Sequence, residues 1–384
     1  MALLLSTLIM EKPTRENTTK DTERLFYSIL FKSNQVFLFP SLIKNLISQI
    51  PRFEFKIFIS YQSLIQAWQG ICRSKVIMAS TTKKASAEKR VAVVTGGNKG
   101  IGLEICRQLA LNDITVILTA RNESRGVDAV EKLNVSSRVD VLFHQLDVKD
   151  PTSIARLAKF VEAHFKKLDI LVNNAAENGI IVNYDVFRAF KNGAGYEEVY
   201  DANAHLLTGI IEQPYDLGEE CIKTNYYGAK AVTEAFLPLL QFSSSPRIVN
   251  ISSNYGELQW IHNENVKAEL LDIDNLTEEK IDGTIQRFLK DFKANKLSEN
   301  GWPLTVGAYK VSKAAMNAYT RLLAIKYSNI LVNCVHPGYV ITDITSDTGH
   351  LTPKEGARAP VMVALLPNNG PSGVFFSQMK ISSF

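Results

Sequence analysis

The stretch Val91-Ala92-Val93-Val94-Thr95-Gly96-Gly97-Asn98-Lys99-Gly100-Ile101-Gly102 decides the reading of this 384-residue chain. Its four consecutive apolar residues read as a short strand buried on both faces, as in a parallel sheet. Glycines 96, 100 and 102 follow at once, and Ile101–Leu111 then reads as a helix. A glycine-rich turn between strand and helix lets backbone amides approach a pyrophosphate, while the helix N-terminus adds positive potential. Glycine spacing alone is weak evidence, but a strand before and a helix after it make a dinucleotide site the expectation.

Strand and helix signals alternate onward from this stretch. Strands are expected at Thr115–Thr119, Val139–His144 and Ile170–Val172, with helices at Ser124–Leu133 and from Asp150-Pro151 to about Lys167. The second half adds a helix around Cys221–Leu240, a strand at Ile248–Ile251 and a helix through Tyr309–Lys326. A strand at Ile330–Val335, a helix at Pro353–Leu366 and a last strand near Val374–Phe376 complete it. Alternation of this kind means an α/β, Rossmann-like, doubly wound parallel sheet. Two segments break the spacing, Glu177–Glu219 and Asn254–Gly307. Much of the second reads as an amphipathic helix, with Thr277-Glu278-Glu279 at its start and Lys290 and Lys293 near its end, as the helix dipole favours. We expect one domain over 78–384, with 254–307 as a helical insertion.

Residues 1–77 read differently. They lack the pattern of a targeting peptide, and charges such as Lys32, Lys44 and Arg52 interrupt every run approaching the ~20 apolar residues of a membrane span. The charge-free run Phe58–Ile71 leaves an interfacial helix open. Met78-Ala79-Ser80-Thr81 reads as an ordinary start of a soluble protein, which suggests that translation begins there and makes residues 1–77 an N-terminal extension that is either weakly ordered or not native. Residues 1–90 carry 14 Lys/Arg against 6 Asp/Glu, leaving 29 against 33 beyond them, so the main domain offers no electrostatic footprint for nucleic acid. Four scattered cysteines and six dispersed histidines suggest neither a disulfide framework nor a metal site, and fit a reducing, cytoplasmic location.

Tyr309 and Lys313 carry the chemistry. Positions i and i+4 share one helix face, so the Lys313 ammonium is expected beside the Tyr309 phenol, favouring its ionised form and bringing proton transfer toward neutral pH. At the end of the second strand, Thr119-Ala120-Arg121 offers no acid to accept a ribose 2′-hydroxyl. Arg121 can instead fork onto a 2′-phosphate, and Lys99 adds a second cation, which favours NADP(H).

With these motifs in order, the chain resembles the short-chain dehydrogenase/reductase family over essentially all of 91–384. The resemblance rests on Thr95–Gly102, Asp147, Asn173–Ala176, Asn225, Asn250-Ile251-Ser252-Ser253, Tyr309–Lys313 and Pro337-Gly338. Ala176 departs from the family's usual glycine. The resemblance implies a catalytic set of Asn225, Ser253, Tyr309 and Lys313. Ser253 polarises the substrate carbonyl, with Ser252 as the fallback, Tyr309 protonates its oxygen, Lys313 holds the ribose and Asn225 anchors a relay water. It also implies a cofactor shell of Gly96, Asn98, Lys99, Gly100, Ile101, Gly102, Arg121, Asp147, Val148, Asn174, Tyr309, Lys313, Pro337 and Gly338.

The insertion before Tyr309, with Gly301-Trp302-Pro303, resembles that of plant monomeric carbonyl reductases acting on terpenoid or alkaloid ketones. A monomer with a bulky, apolar small-molecule carbonyl substrate is therefore expected. Tyr184, Phe187, Phe190, Tyr255 and Trp260 are candidate pocket residues, although ordinary packing is the better account of any single one. Two other functions are compatible with the pattern: reduction of a conjugated C=C bond, and non-catalytic NADP(H) binding.

Overall fold

A computed structural model describes residues 89–192, except 138 and 140, and residues 205–384. The readings of residues 1–77, of Phe58–Ile71 and of a start at Met78 lie outside the described residues, as does part of Glu177–Glu219.

The strands β1 (Val91–Val94), β2 (Thr115–Ala120), β3 (Val141–Gln145) and β4 (Ile170–Asn173) alternate with helices α1 (Gly100–Leu111), α2 (Glu123–Ser137) and α3 (Pro151–Phe165). A small antiparallel pair, β5 (Ile181–Val182) with β6 (Ile211–Glu212), brackets α4 (Tyr184–Asn192). Helix α5 (Tyr215–Ile222) then passes through a π-turn at Lys223–Gly228 into α6 (Ala229–Gln241), and β7 (Arg247–Ile251) follows. The remaining chain forms α7 (Glu264–Leu271), α8 (Glu278–Lys293), α9 (Gly307–Lys326), β8 (Leu331–His336), α10 (Pro353–Gly356), α11 (Arg358–Ala364), β9 (Phe375–Ser377) and β10 (Lys380–Ser382).

The main sheet has the order β10-β9-β8-β7-β4-β1-β2-β3, and its pairings are parallel except for the β9–β10 edge. The chain winds from β1 out to β3, then returns to β4 on the other side of β1 and winds outward again. That reversal opens a crevice beyond the carboxyl ends of β1 and β4, where such sheets bind ligands.

Strand β1 shows why this sequence must be central. Val91 and Val93 join one buried cluster with α3, α6 and α9, while Ala92 and Val94 join the other with α1, α2 and α11. Alternate side chains point to opposite faces, so only a residue set apolar at every position can be covered on both. Asp150 caps α3 by accepting the Thr152 N–H, and Pro151 sits at the first helical position, as the sequence predicts. Thr277 likewise caps α8 by accepting the Lys280 N–H. Ile281, Ile285 and Phe288 of α8 are fully buried in the cluster that α9 shares, and the Trp302 ring stacks edge-on against Phe288 at 5.4 Å.

The helix expected around Cys221–Leu240 is not one continuous α-helix. Lys223–Gly228 adopts the wider π-helical winding between α5 and α6, a feature that recurs at functional sites.

Candidate active site

The residues after β1 build a cradle at the crevice. Thr95 donates its N–H to Val172 O at 3.0 Å, and its Oγ1 accepts the N–H groups of Asn174 at 2.9 Å and Ala175 at 3.0 Å. The Asn174 amide donates back to Thr95 O and Gly96 O, at 2.9 and 3.1 Å. The glycine loop is thus bolted to the end of β4. Gly96 and Gly100 have φ of +63° and +56°, the left-handed region where glycine carries no steric cost. A Cβ on Gly102 would lie 2.4 Å from Asn174 Nδ2 and 2.6 Å from Gly96 O, so only glycine lets α1 come this close. Lys99, at the N-cap of α1, makes no side-chain cap bond, and the first turn holds no acidic residue. Open glycine turns, backbone N–H groups at an uncapped helix start and the absence of competing carboxylates in that turn fit a pyrophosphate.

The other predicted cofactor residues lie within the glycine turn or just after the carboxyl ends of β2, β3 and β8. Asn98 and Ile101 lie within it, half-buried, and Lys99 is exposed and ion-paired with Asp343 from the segment after β8. Pro337 is buried and Gly338 has φ of +94°, turning that segment back so that a Cβ on Gly100 would touch Thr342 Cγ2 at 3.3 Å. Arg121 leaves the end of β2 and donates to the Glu177 carboxylate at 3.0 Å. Asp147 follows β3, with its Oδ1 accepting the Lys149 N–H. Val148 is buried against Gly228 of the π-turn, where a Cβ would come within 2.8 Å of it.

Past β7 the two serines diverge. Ser252 Oγ donates to Asn317 Oδ1 at 2.6 Å and is committed to packing against α9. Ser253 caps the short turn Asn254–Gly256: its Oγ accepts the Tyr255 N–H at 3.2 Å and donates to Asn254 Oδ1 at 3.1 Å, and it is the serine whose side chain acts on the Tyr309 phenol. The structure therefore brings Ser253, not Ser252, to Tyr309. One turn further along α9, buried Lys313 donates to Ile251 O at 2.7 Å, and its Nζ lies 5.4 Å from the centre of the Tyr309 ring.

The electrostatic expectation for Tyr309 is corrected here. Burial pushes the phenol above its ordinary value, and the neighbouring Cys221 adds to the rise, against a lesser opposing effect from Ser253. Burial also brings the Lys313 ammonium down to about 8. Shared helix face does put the two side chains together, but desolvation outweighs attraction. The proton is held more tightly on Tyr309 and less tightly on Lys313.

Asn225 is fully buried in the π-turn. Its Nδ2 faces Glu177 O at 2.9 Å, Ser312 Oγ at 3.0 Å and Cys221 Sγ at 3.2 Å, and its Oδ1 accepts the Glu177 N–H at 2.8 Å. Both backbone groups of Glu177 are thus held by one side chain. Cys221, Ser312 and Glu177 were missed as members of this knot. The spacing of Cys221 and Asn225, one helical turn apart, was the available signal, but only the fold shows that Glu177 returns to meet them.

Among the described residues no group of three or more His, Cys, Asp and Glu is placed to hold a metal, and Cys106, Cys221 and Cys334 are buried free thiols. No described helix is long and apolar enough to cross a membrane. Of the sequence-nominated pocket residues, Tyr184 is half exposed on α4, while Trp260 is buried and packed in the protein. Two surface grooves of about 440 and 410 Å³ lie along α6 and α9 and along α5 and α8, and neither includes Ser253, Tyr309 or Lys313.

Known proteins match this chain over the same region. The family profile described as short chain dehydrogenase covers residues 90–266, and one described as Enoyl-(Acyl carrier protein) reductase covers 296–367. Short-chain dehydrogenase/reductase 1 of Saponaria officinalis is 51% identical over 300 residues, 78% of this chain and 97% of that protein. The (+)-neomenthol dehydrogenase of Arabidopsis thaliana is 51% identical over 304 residues, 78% of this chain and 100% of its own length. The solved structure of salutaridine reductase from Papaver somniferum superposes with a TM-score of 0.69 at 48% identity, covering 75% of this chain and 99% of that one.

Proposed function

The chain belongs to the short-chain dehydrogenase/reductase family, oxidoreductases that work with nicotinamide cofactors, and on that premise we propose its reaction. It reduces a ketone or aldehyde on a bulky, apolar small molecule to the alcohol, reversibly, using NADPH. The single observation that carries this reading is the placement of Ser253 beside the Tyr309 phenol, with Lys313 one turn away at the crevice.

Bound NADPH supplies the hydride. Ser253 Oγ holds the carbonyl oxygen, and the Tyr309 hydroxyl delivers its proton to that oxygen as the alcohol forms. The phenol is protonated at neutral pH, as a donor must be, while burial makes it a weaker acid, a cost that Ser253 opposes and that a bound cofactor and Lys313 would have to offset. Lys313 orients the cofactor ribose and stays close to the ring of Tyr309. Asn225 keeps Glu177 and Ser312 in register beneath Tyr309, whose main-chain oxygen accepts the Ser312 hydroxyl at 2.7 Å, and anchors the water that returns a proton.

The phosphate preference rests on Arg121 and Lys99, with no acid at the end of β2. Asn98, Gly96, Gly100, Ile101, Gly102, Asp147, Val148, Asn174, Pro337 and Gly338 complete the cofactor shell. A terpenoid or alkaloid ketone as substrate is supported by the relatives above, and a monomer by the packing of α8 in the cluster shared with α9. Retention of Tyr309 favours C=O over C=C reduction.

NADPH oxidation against a panel of terpenoid, steroid, aryl and alkaloid ketones and enones, with NADH and Tyr309→Phe as controls, tests the proposal. Alcohol formed by the wild type and lost in the variant is the expected result. A Tyr309→Phe protein of undiminished activity, or a saturated ketone as product, would refute it.

A further inference from the structure

Lys310 follows Tyr309 directly on α9, yet it points into a different neighbourhood. It is a buried cation, 1% exposed, at a helix position where an apolar residue would fill the same space with no charge to desolvate. Its Nζ donates to Thr305 Oγ1 at 2.9 Å and lies over two aromatic faces, 4.4 Å from the centre of Trp260 and 5.2 Å from that of Tyr255. Those rings stand perpendicular to each other, 5.2 Å apart at 89°. An ammonium attracts the negative faces of both rings, so it sets their orientation as well as their separation.

The caged rings belong to the segment that carries the catalytic serine. Trp260 Nε1 donates to Asn254 O at 2.9 Å, closing the loop on itself. Tyr255 donates its N–H to Ser253 Oγ, and its ring meets that of Tyr309 edge-on at 6.5 Å. A second tie runs from Asn317 of α9 to Gly256 O at 3.1 Å and to Ser252 Oγ. The loop after β7 is therefore latched to the helix bearing Tyr309 at two points, a neutral amide at one and a caged cation at the other.

We infer that Lys310 is a positioning residue for the reaction: its ammonium, caged by Trp260 and Tyr255, holds the Ser253–Tyr255 segment so that Ser253 Oγ and the Tyr309 hydroxyl meet. This rests on the assignment of Ser253 and Tyr309 as the reacting pair. Its consequence is a defect in turnover with cofactor binding intact, because the cage sits on the β7–α9 side and touches none of the glycine cradle.

The test compares Lys310→Met, Lys310→Arg, Trp260→Leu and Lys310→Met/Trp260→Leu in the full chain, using a ketone that the wild type turns over. Readouts are kcat and KM, NADPH affinity by fluorescence titration, thermal midpoint, and the near-ultraviolet circular dichroism of the ring pair. We expect Lys310→Met to lose about 10-fold or more in kcat, since a misplacement near 1 Å suffices for such losses. NADPH affinity should stay within about twofold of wild type, because the cradle is untouched. Lys310→Arg, which retains a cation that stacks on aromatic faces, should recover much of the turnover, and the double variant should be no worse than the poorer single one.

Wild-type kcat in Lys310→Met overturns the inference. So does an equal loss in Lys310→Arg and Lys310→Met that tracks a falling thermal midpoint, which would make the residue a packing element alone. If Lys310→Met does not fold, Lys310→Gln takes its place in the same cycle, where additive losses with Trp260→Leu overturn the inference and non-additive losses support it. Full activity in Tyr309→Phe would instead reject the reacting pair itself, whatever Lys310 does.

Discussion

Arg121 at the end of β2 and Glu177 beyond β4 are joined by a 3.0 Å ion pair that bridges the two segments flanking the cofactor crevice. The side chains are 60% and 31% exposed, so the pair is weakly held and can be exchanged for another anion. We predict that Arg121→Met weakens NADPH binding by about 10-fold or more, the worth of a charge-assisted hydrogen bond to phosphate, and leaves NADH binding nearly unchanged. Glu177→Gln, which frees the guanidinium, should tighten NADPH by no more than about fivefold, the upper range for an exposed pair. Fluorescence titration of both nucleotides against both variants decides the matter. An Arg121→Met protein that still prefers NADPH would place the 2′-phosphate elsewhere.

Gly102→Ala should cripple dinucleotide binding. Its new methyl would meet a side-chain amide and a main-chain carbonyl oxygen at 2.4 and 2.6 Å, and relieving that contact forces α1 away from Gly96 or breaks the Asn174 bonds. Overpacking of this kind costs about 1–3 kcal/mol, so the thermal midpoint should fall along with NADPH affinity. Binding within twofold of wild type would show that the loop relaxes freely.

Lys313 should leave a signature in the pH dependence of stability. Burial lowers its folded value to about 8 from 10.5, so between those limits the unfolded chain binds the extra proton. Stability from this group therefore rises with pH across that window, and below about pH 8 its burial penalty is paid in full. Tyr309 acts in the opposite sense, but only above its ordinary value of 10.0. Urea denaturation at pH 7.5 and 9.5, without added nucleotide, should show the wild type gaining on Lys313→Met as pH rises. Parallel curves would mean that Lys313 is hydrated in solution.

Phe288→Ala should destabilise the protein by about 3–5 kcal/mol, the usual cost of emptying a buried phenylalanine site. Its ring is fully buried and packs on Phe292 at 5.6 Å and Trp302 at 5.4 Å. Thr277→Ala, which removes only the cap of α8, should cost about 1 kcal/mol. Chemical denaturation measures both, and equal effects would mean that α8 adds little to the core.

The sequence by itself determined the sheet and the order of the site. Four apolar residues at Val91–Val94 could be satisfied only by cover on both faces, the glycine spacing admitted a close strand-to-helix turn, and an i, i+4 spacing placed Lys313 beside Tyr309. These are local rules, written in period and steric size. Tertiary structure decided what depends on partners distant in the chain. Ser253 was separated from Ser252 by Asn317, and the π-turn at Asn225 was set among Val148, Glu177 and Ser312. The direction of the Tyr309 shift followed from burial, which spacing along a helix does not encode. The caging of Lys310 has the same cause: nothing in its sequence neighbourhood singles it out, and only the loop folding back from β7 brings two aromatic faces to its charge.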